Sequence, residues 1–197
     1  MSNHPDFRFD PIEHRYFIGN LELPSITSLF KEFGLIEEAR FYTDYSRDKG
    51  HAAHACCHYF DEDDLDESTV DETIKPYLEA WKLFRKETGF VPSVIEKPMH
   101  VQSLFAGTPD RFGTFPNGEM VIVEIKSGQV HWTARLQTAA QGRLFGPGPY
   151  ERIIIQLKPN GAYKQTIYPI ENYLKDLEDF EVLIRCHWLK RIKESKK

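Results

Sequence analysis

Cysteine is scarce in this chain: three in 197 residues, the adjacent Cys56 and Cys57 and the distant Cys186. An odd set with no CxxC pair supplies neither a disulfide framework nor a zinc clip. Cys56 and Cys57 therefore read as small core residues of a helix. Long apolar runs are missing too. None approaches the roughly 18 residues of a membrane span, and the opening MSNHPDFRFD lacks a signal-peptide pattern, so a soluble intracellular protein is expected. No internal repeat, low-complexity tract or Pro/Gly/Ser linker divides the chain, whose length suits a single domain. An excess of one charge is also absent, the net being only −5. The acid is concentrated: DEDDLDESTVDE, 61–72, holds eight acidic side chains and no basic one, and removing them turns −5 into +3 for the remainder. That run reads as a solvated loop and helix start, with Thr69 to Glu72 as a capping box. A global sign thus excludes no anionic partner, and local patches must decide.

What is present is a sequence of alternating element signals. FRFDPIEHRYFIGNLELPS predicts a β-hairpin about Asp10–Pro11. Pro24–Ser25 opens a short helix over 25–33, closed by Gly34. A longer helix is expected over 43–60 and another over 70–88, with Tyr77, Trp81 and Phe84 as its core stripe. From 93 the character turns to strands in VIEKPMHVQ, LFAGTPDRFGTF and EMVIVEIKS. A crossover helix over 131–145 follows, ended by GPGP, then a hairpin about Asn160–Gly161 and an amphipathic helix over 171–194. The order predicts one α/β domain with a central mixed sheet flanked by helices. Its parts are an N-terminal hairpin and helices (1–92), a sheet core (93–170) and a C-terminal helix (171–197).

VIVEIKSG, 121–128, carries the chemistry. Strand alternation puts Glu124 and Lys126 on one face while the surrounding residues are apolar, and burying such charges requires compensation. Asp110, in GTPDR, lies in the preceding strand, and the turn at 116–118 folds it back. Two carboxylates on neighbouring strands beside a lysine can hold a hard divalent cation and so support phosphodiester hydrolysis. A two-residue turn at Asn117–Gly118 would pair Asp110 with Ile125, on the wrong face. A three-residue loop, or a bulge at Gly113, would bring Asp110 opposite Glu124, and that irregularity is expected.

Thr108–Pro109–Asp110 followed by Glu124–Ile125–Lys126 resembles the defining motif of the PD-(D/E)XK nucleases, and within them the RecB-like and lambda-exonuclease-like exonucleases. Gly50-His51-Ala52-Ala53-His54 resembles their GxxxH helix motif, and QTAAQ from Gln137 resembles QxxxY, with Gln141 in place of tyrosine. HRYFIGNLELPSITSLFKEFG is similar to the opening of many phage-encoded members and of the mitochondrial genome maintenance exonuclease. The resemblance spans about residues 7–168. It implies the restriction-endonuclease-like fold and a DNA exonuclease of replication, recombination or repair, dependent on Mg²⁺ or Mn²⁺. His54, Asp110, Glu124 and the backbone carbonyl of Ile125 would be metal ligands, with Glu96 a further one. Lys126 would be the catalytic lysine, and Gln137 would orient it, the water or a phosphate.

Gln141, Trp132, Arg111 and Arg135 are the expected DNA contacts, with Lys97, Arg143 and the helix start carrying Arg40, Phe41, Tyr42 and Arg47 as further candidates. DNA is the implied partner, without a membrane, and a recombination partner such as a single-strand annealing protein fits this setting. The implied compartment is the cytoplasm of a bacterial or phage-infected cell. The iron–sulfur branch of the family needs four cysteines, so no such cluster is expected. His51, His54 and His58 share a helix face, yet a second pair with ligand spacing for a closed zinc site is lacking. Two alternatives stand beside the exonuclease: a structure-specific or nicking endonuclease on the same site, and a DNA-binding pseudo-nuclease.

Overall fold

A computed structural model describes residues 4–36 and 44–194. The chain begins with three short antiparallel strands, β1 (Phe7–Asp10), β2 (Arg15–Ile18) and β3 (Leu21–Leu23). The expected hairpin thus gains a third strand, because Gly19 takes φ +57° and turns the chain again after β2. Helix α1 (Ile26–Glu32) is capped by Ser25, whose hydroxyl accepts from the Ser28 N–H while Ser28 reaches back to the Ser25 N–H. Then come α2 (Asp44–Asp61) and α3 (Lys75–Thr88).

Between those two helices the acidic run does not behave as its sequence suggests. Asp66, not Thr69, caps a short 3-10 turn over Glu67–Thr69, and α3 starts after Ile74 with Pro76 in its first turn. The Thr69–Glu72 capping box is therefore not formed: Thr69 Oγ1 donates back to the Asp66 carbonyl. The side chain of Asp61, first of the run, is fully buried.

The second half supplies β4 (Val91–Ile95), the small pair β5 (Met99–Val101) and β6 (Phe105–Gly107), then β7 (Arg111–Thr114), β8 (Met120–Lys126), α4 (Ala134–Leu144), β9 (Glu151–Leu157), β10 (Tyr163–Tyr168) and α5 (Tyr173–Glu194). Each of the first two predicted strand segments is split, one after Ile95 and the other at Thr108–Pro109–Asp110, where proline has no N–H for a ladder. The five-stranded sheet runs β10-β9-β8-β7-β4, with β8 and β9 parallel across α4 and the other pairs antiparallel. The molecule is thus mixed α/β, as expected.

Strand β8 is the middle of this sheet, and its alternation sorts the two layers. Val121, Val123 and Ile125 pack with Ala53 and Cys57 of α2 and with Tyr77, Trp81 and Phe84 of α3. Ile122 points the other way, to Ala139 of α4 and to Tyr173 and Leu177 of α5. Glu124 and Lys126 share the parity of Ile122, so they fall under α4. Among the described residues no helix is long and apolar enough to cross a membrane.

Candidate active site

The β7–β8 register is set by a three-residue loop. Phe115 N–H donates to the Glu119 carbonyl at 3.0 Å and Gly118 N–H to the Phe115 carbonyl at 2.9 Å. Gly118 sits at φ +85°, a left-handed position that glycine adopts without strain. Arg111 then pairs with Val123 and Gly113 with Val121. Continued by one residue, this register sets Asp110 against Glu124, as the expected irregularity requires. The bulge itself lies elsewhere. Gly113 is in step with β8, and the ladder slips on the other side, between Pro92 and Val94 of β4. Gly113 is instead a close approach, where a Cβ would stand 2.2 Å from the Val91 carbonyl oxygen.

Further continuation would place Pro109 against Ile125. Proline breaks the ladder, and the Asp110 side chain takes over: its Oδ2 accepts the Ile125 N–H at 2.8 Å. Glu124 is held from three sides. Lys126 Nζ and Gln137 Nε2 each donate to its Oε1 at 2.6 Å, and Gln141 Nε2 donates to its Oε2 at 2.6 Å. Gln137 and Gln141 lie one turn apart on α4 and therefore reach the same carboxylate. Lys126 also approaches Gln137 Oε1 at 3.4 Å.

From the opposite layer, α2 brings His54 Nδ1 to 3.8 Å from Asp110 Oδ2. Gly50, one turn earlier, permits this approach: a Cβ there would meet Ser127 Oγ at 3.2 Å. The two carboxylates then differ in charge. Burial, and next the neighbouring Glu124, push Asp110 up to about 6. Burial would raise Glu124 as well, but the Lys126 charge and the Gln141 and Lys126 hydrogen bonds outweigh it and hold Glu124 below the ordinary range.

No known protein family matches this sequence, and neither does any curated protein. Among solved structures, one described as "Crystal structure of SSO0001" is similar over 80% of this chain and 84% of that one, at 13% identity and a TM-score of 0.33. A likeness that slight carries no argument, so the reading rests on the site.

Other expected site residues separate. Arg111 is fully buried, donating to Asp61 Oδ2 at 2.6 Å, to the Asp110 carbonyl at 2.7 Å and to Glu96 at 3.2 Å. It cannot line a DNA surface. Asp61 also accepts from Trp81 Nε1 and Arg85 Nη1, so the pair is an internal strut, and losing either partner would cost about 3–5 kcal/mol. Glu96 is engaged by Arg111 and by His58, whose Nδ1 is 3.3 Å from it. The Glu96 N–H donates to the Asp110 carbonyl at 3.0 Å, so Glu96 neighbours Asp110 along the chain's ladder while its carboxylate is taken up by Arg111 and His58.

Gln141 is buried against Glu124 rather than turned to a surface. Arg135 is bound to Asp176 and Asp179 of α5. Trp132 is half exposed in the turn before α4, with the Arg135 guanidinium 5.9 Å from its ring centre. Arg40, Phe41 and Tyr42 lie outside the described residues.

A cleft of about 920 Å³ opens over Lys126 and Gln137. Its walls come from α1, from the first turns of α2, and from the segment joining β8 to α4. Among the described residues the lining includes Lys31, Arg47, Lys49 and Lys126, with His51, His54 and His131, and no Asp or Glu. Sequence reading missed Lys31 and Lys49 because they stand on different helices and form no basic run. It missed Asp61 because that residue heads an acidic stretch, and only Trp81, Arg85 and Arg111, far along the chain, reveal its burial.

Proposed function

We propose that the protein is a divalent-metal-dependent deoxyribonuclease of the PD-(D/E)XK type, acting as an exonuclease in DNA replication, recombination or repair. The observation that carries this reading is the meeting of Asp110, Glu124 and Lys126 at the end of β8, beside a cleft whose described lining includes Lys31, Arg47, Lys49 and Lys126.

Among the described residues no three His, Cys, Asp or Glu side chains form a ready ion cage, so fit is tested on the donor set. A carboxylate offers about four lone-pair positions. Glu124 uses three of them, and the Ile125 N–H takes one on Asp110 Oδ2. Acceptor capacity remains on both acids, and the raised Asp110 marks a place where added positive charge would be stabilising. Asp110, Glu124 and His54 thus fit Mg²⁺ or Mn²⁺, with the Ile125 carbonyl as the backbone donor. A bound divalent cation supplies charge that polarises a phosphoryl oxygen and makes water a competent nucleophile near neutral pH.

The remaining work falls to the chain itself. Lys126 holds an ammonium at the cleft edge of Glu124, where it can neutralise charge growing on a phosphate. Gln137 fixes both Lys126 and Glu124 from α4, so the lysine keeps one position. Lys31 and Lys49 offer charge to the backbone of an incoming strand.

The test is digestion of end-labelled single- and double-stranded linear DNA beside a circular substrate, with Mg²⁺ or Mn²⁺ and with a chelator. Linear DNA should shorten from an end, circles should persist, and Asp110→Ala should be inactive. Cut circles would make the site an endonuclease. Binding without cleavage would make it a pseudo-nuclease, and cleavage surviving in Asp110→Ala would discard the site altogether.

A further inference from the structure

Gln141 stands in an unusual position for a buried amide. It is 2% exposed, it donates Nε2 to Glu124 Oε2 at 2.6 Å, and among the described residues its Oε1 has no hydrogen-bond partner. An acceptor buried in this way costs roughly 1–3 kcal/mol. Flipping the amide would not help, because Oε1 would then face the carboxylate, acceptor against acceptor. The side chain therefore gives up one hydrogen bond in order to make the other.

The other two donors on Glu124, Lys126 and Gln137, both grip Oε1. A glutamate carboxylate rotates freely about its last bond, and a hold on one oxygen alone leaves Oε2 to swing. Gln141 removes that freedom. It reaches from the turn of α4 after Gln137, at the position where the resembling family carries tyrosine.

We propose that Gln141 is a positioning residue that locks the Glu124 carboxylate in one orientation, presenting it ready-made to the divalent cation it shares with Asp110. This inference rests on the metal-nuclease reading. It also accounts for the orphaned Oε1, since a residue placed only to fill space would be better replaced by an apolar side chain of equal size.

Gln141→Met keeps the volume and removes the donor. In the whole protein the metal-free variant should still fold, melting at or somewhat below the wild-type temperature, because relief of the unpaired Oε1 is offset by the donor lost from Glu124 Oε2. Its affinity for Mn²⁺, read by electron paramagnetic resonance titration, should fall at least fivefold. Its kcat on linear DNA should fall, with KM for DNA unchanged. A folded Gln141→Met protein with wild-type Mn²⁺ affinity overturns the inference while leaving the nuclease reading intact. A wild-type protein that neither binds Mn²⁺ nor cleaves DNA overturns both. If Gln141→Met fails to fold, the wild-type protein still decides: the Gln141 side-chain NH₂ resonances should resist solvent exchange and shift on Mg²⁺ titration in step with saturation. Fast exchange and unmoved resonances overturn the proposal.

Discussion

Asp110 and Glu124 occupy the same dry corner, and their surroundings give them opposite protonation tendencies. Glu124 has three donors around it, whereas Asp110 has one backbone N–H and a negative neighbour. In the metal-free protein Asp110 is raised to about 6, above its unfolded value. The folded state then binds the extra proton between pH 4 and 6. Its stabilising contribution is present below about pH 4 and is lost as pH rises through 6. Asp110→Asn keeps an oxygen for the Ile125 N–H and cannot ionise. At pH 7.5 without metal it should melt higher than wild type, by about 3 °C or more, since each kcal/mol moves a domain of this size by roughly 2–4 °C. It should also lose both activity and stabilisation by Mg²⁺. In wild type, Mg²⁺ should raise the melting temperature more at pH 7.5 than at pH 5, because proton and cation compete for the same oxygens. Thermal scans across pH check each sign, and a metal-free Asp110→Asn melting below wild type at pH 7.5 contradicts the account. Asp110, Glu124 and Lys126 were legible in the sequence because strand alternation and one turn fix their relation. The Arg111–Asp61 pair was not, because its partners are 50 residues apart and one sits in an acidic run.

Elements were legible where their signals are local. The Asn160–Gly161 hairpin, the α4 crossover and the mixed sheet follow from turn residues and periodicity, and the three-residue loop about Gly118 followed from requiring Asp110 and Glu124 to share a face. Tertiary contacts decided the rest. Gly113 is small to let β4 and the Phe90 ring approach, not to host a bulge, and the start of α3 was displaced by Pro76 and the Asp66 turn. The docking of α2 is the element on which His54 depends, and Gly50 sets it. Alanine at position 50 should gain helix propensity, up to about 1 kcal/mol, yet its Cβ would stand 3.2 Å from Ser127 Oγ, so that the hydroxyl or the helix must give by a few tenths of an ångström. Misplacement of about 1 Å can cost a hundredfold in rate, so such a shift should cost a few-fold. Gly50→Ala should therefore fold at least as stably as wild type but bind Mn²⁺ about 2–5 times more weakly. Adding Ser127→Ala, which removes the pressing oxygen, should restore the affinity. Unchanged affinity in Gly50→Ala would mean that Gly50 does not govern the His54 approach.

At the scale of the whole molecule the charge is partitioned. The net is −5 and the densest acid lies at 61–72, yet among the described residues the cleft over Lys126 is lined by lysine, arginine and histidine without a carboxylate. Such a lining concentrates field in a concave, low-dielectric place and would draw a polyanion toward the site despite the overall sign. Composition alone could not show this, since the contributing residues come from α1, α2 and the β8–α4 segment and meet only in the folded chain. Lys31 and Lys49 stand on two of these walls, away from Asp110 and Glu124. If each pairs with one phosphate, Lys31→Gln with Lys49→Gln should leave kcat at saturating DNA near wild type while raising KM. The dependence of log binding on log salt should also flatten, by about 1.4 for a single strand or 1.8 for a duplex, because each lost contact removes roughly 0.7 or 0.9 from that slope. Binding titrations of short single- and double-stranded oligonucleotides from about 50 to 200 mM salt read that difference directly. An unaltered slope with both substrates would place the nucleic acid on some other face, and the cationic cleft would then need a different anion to explain it.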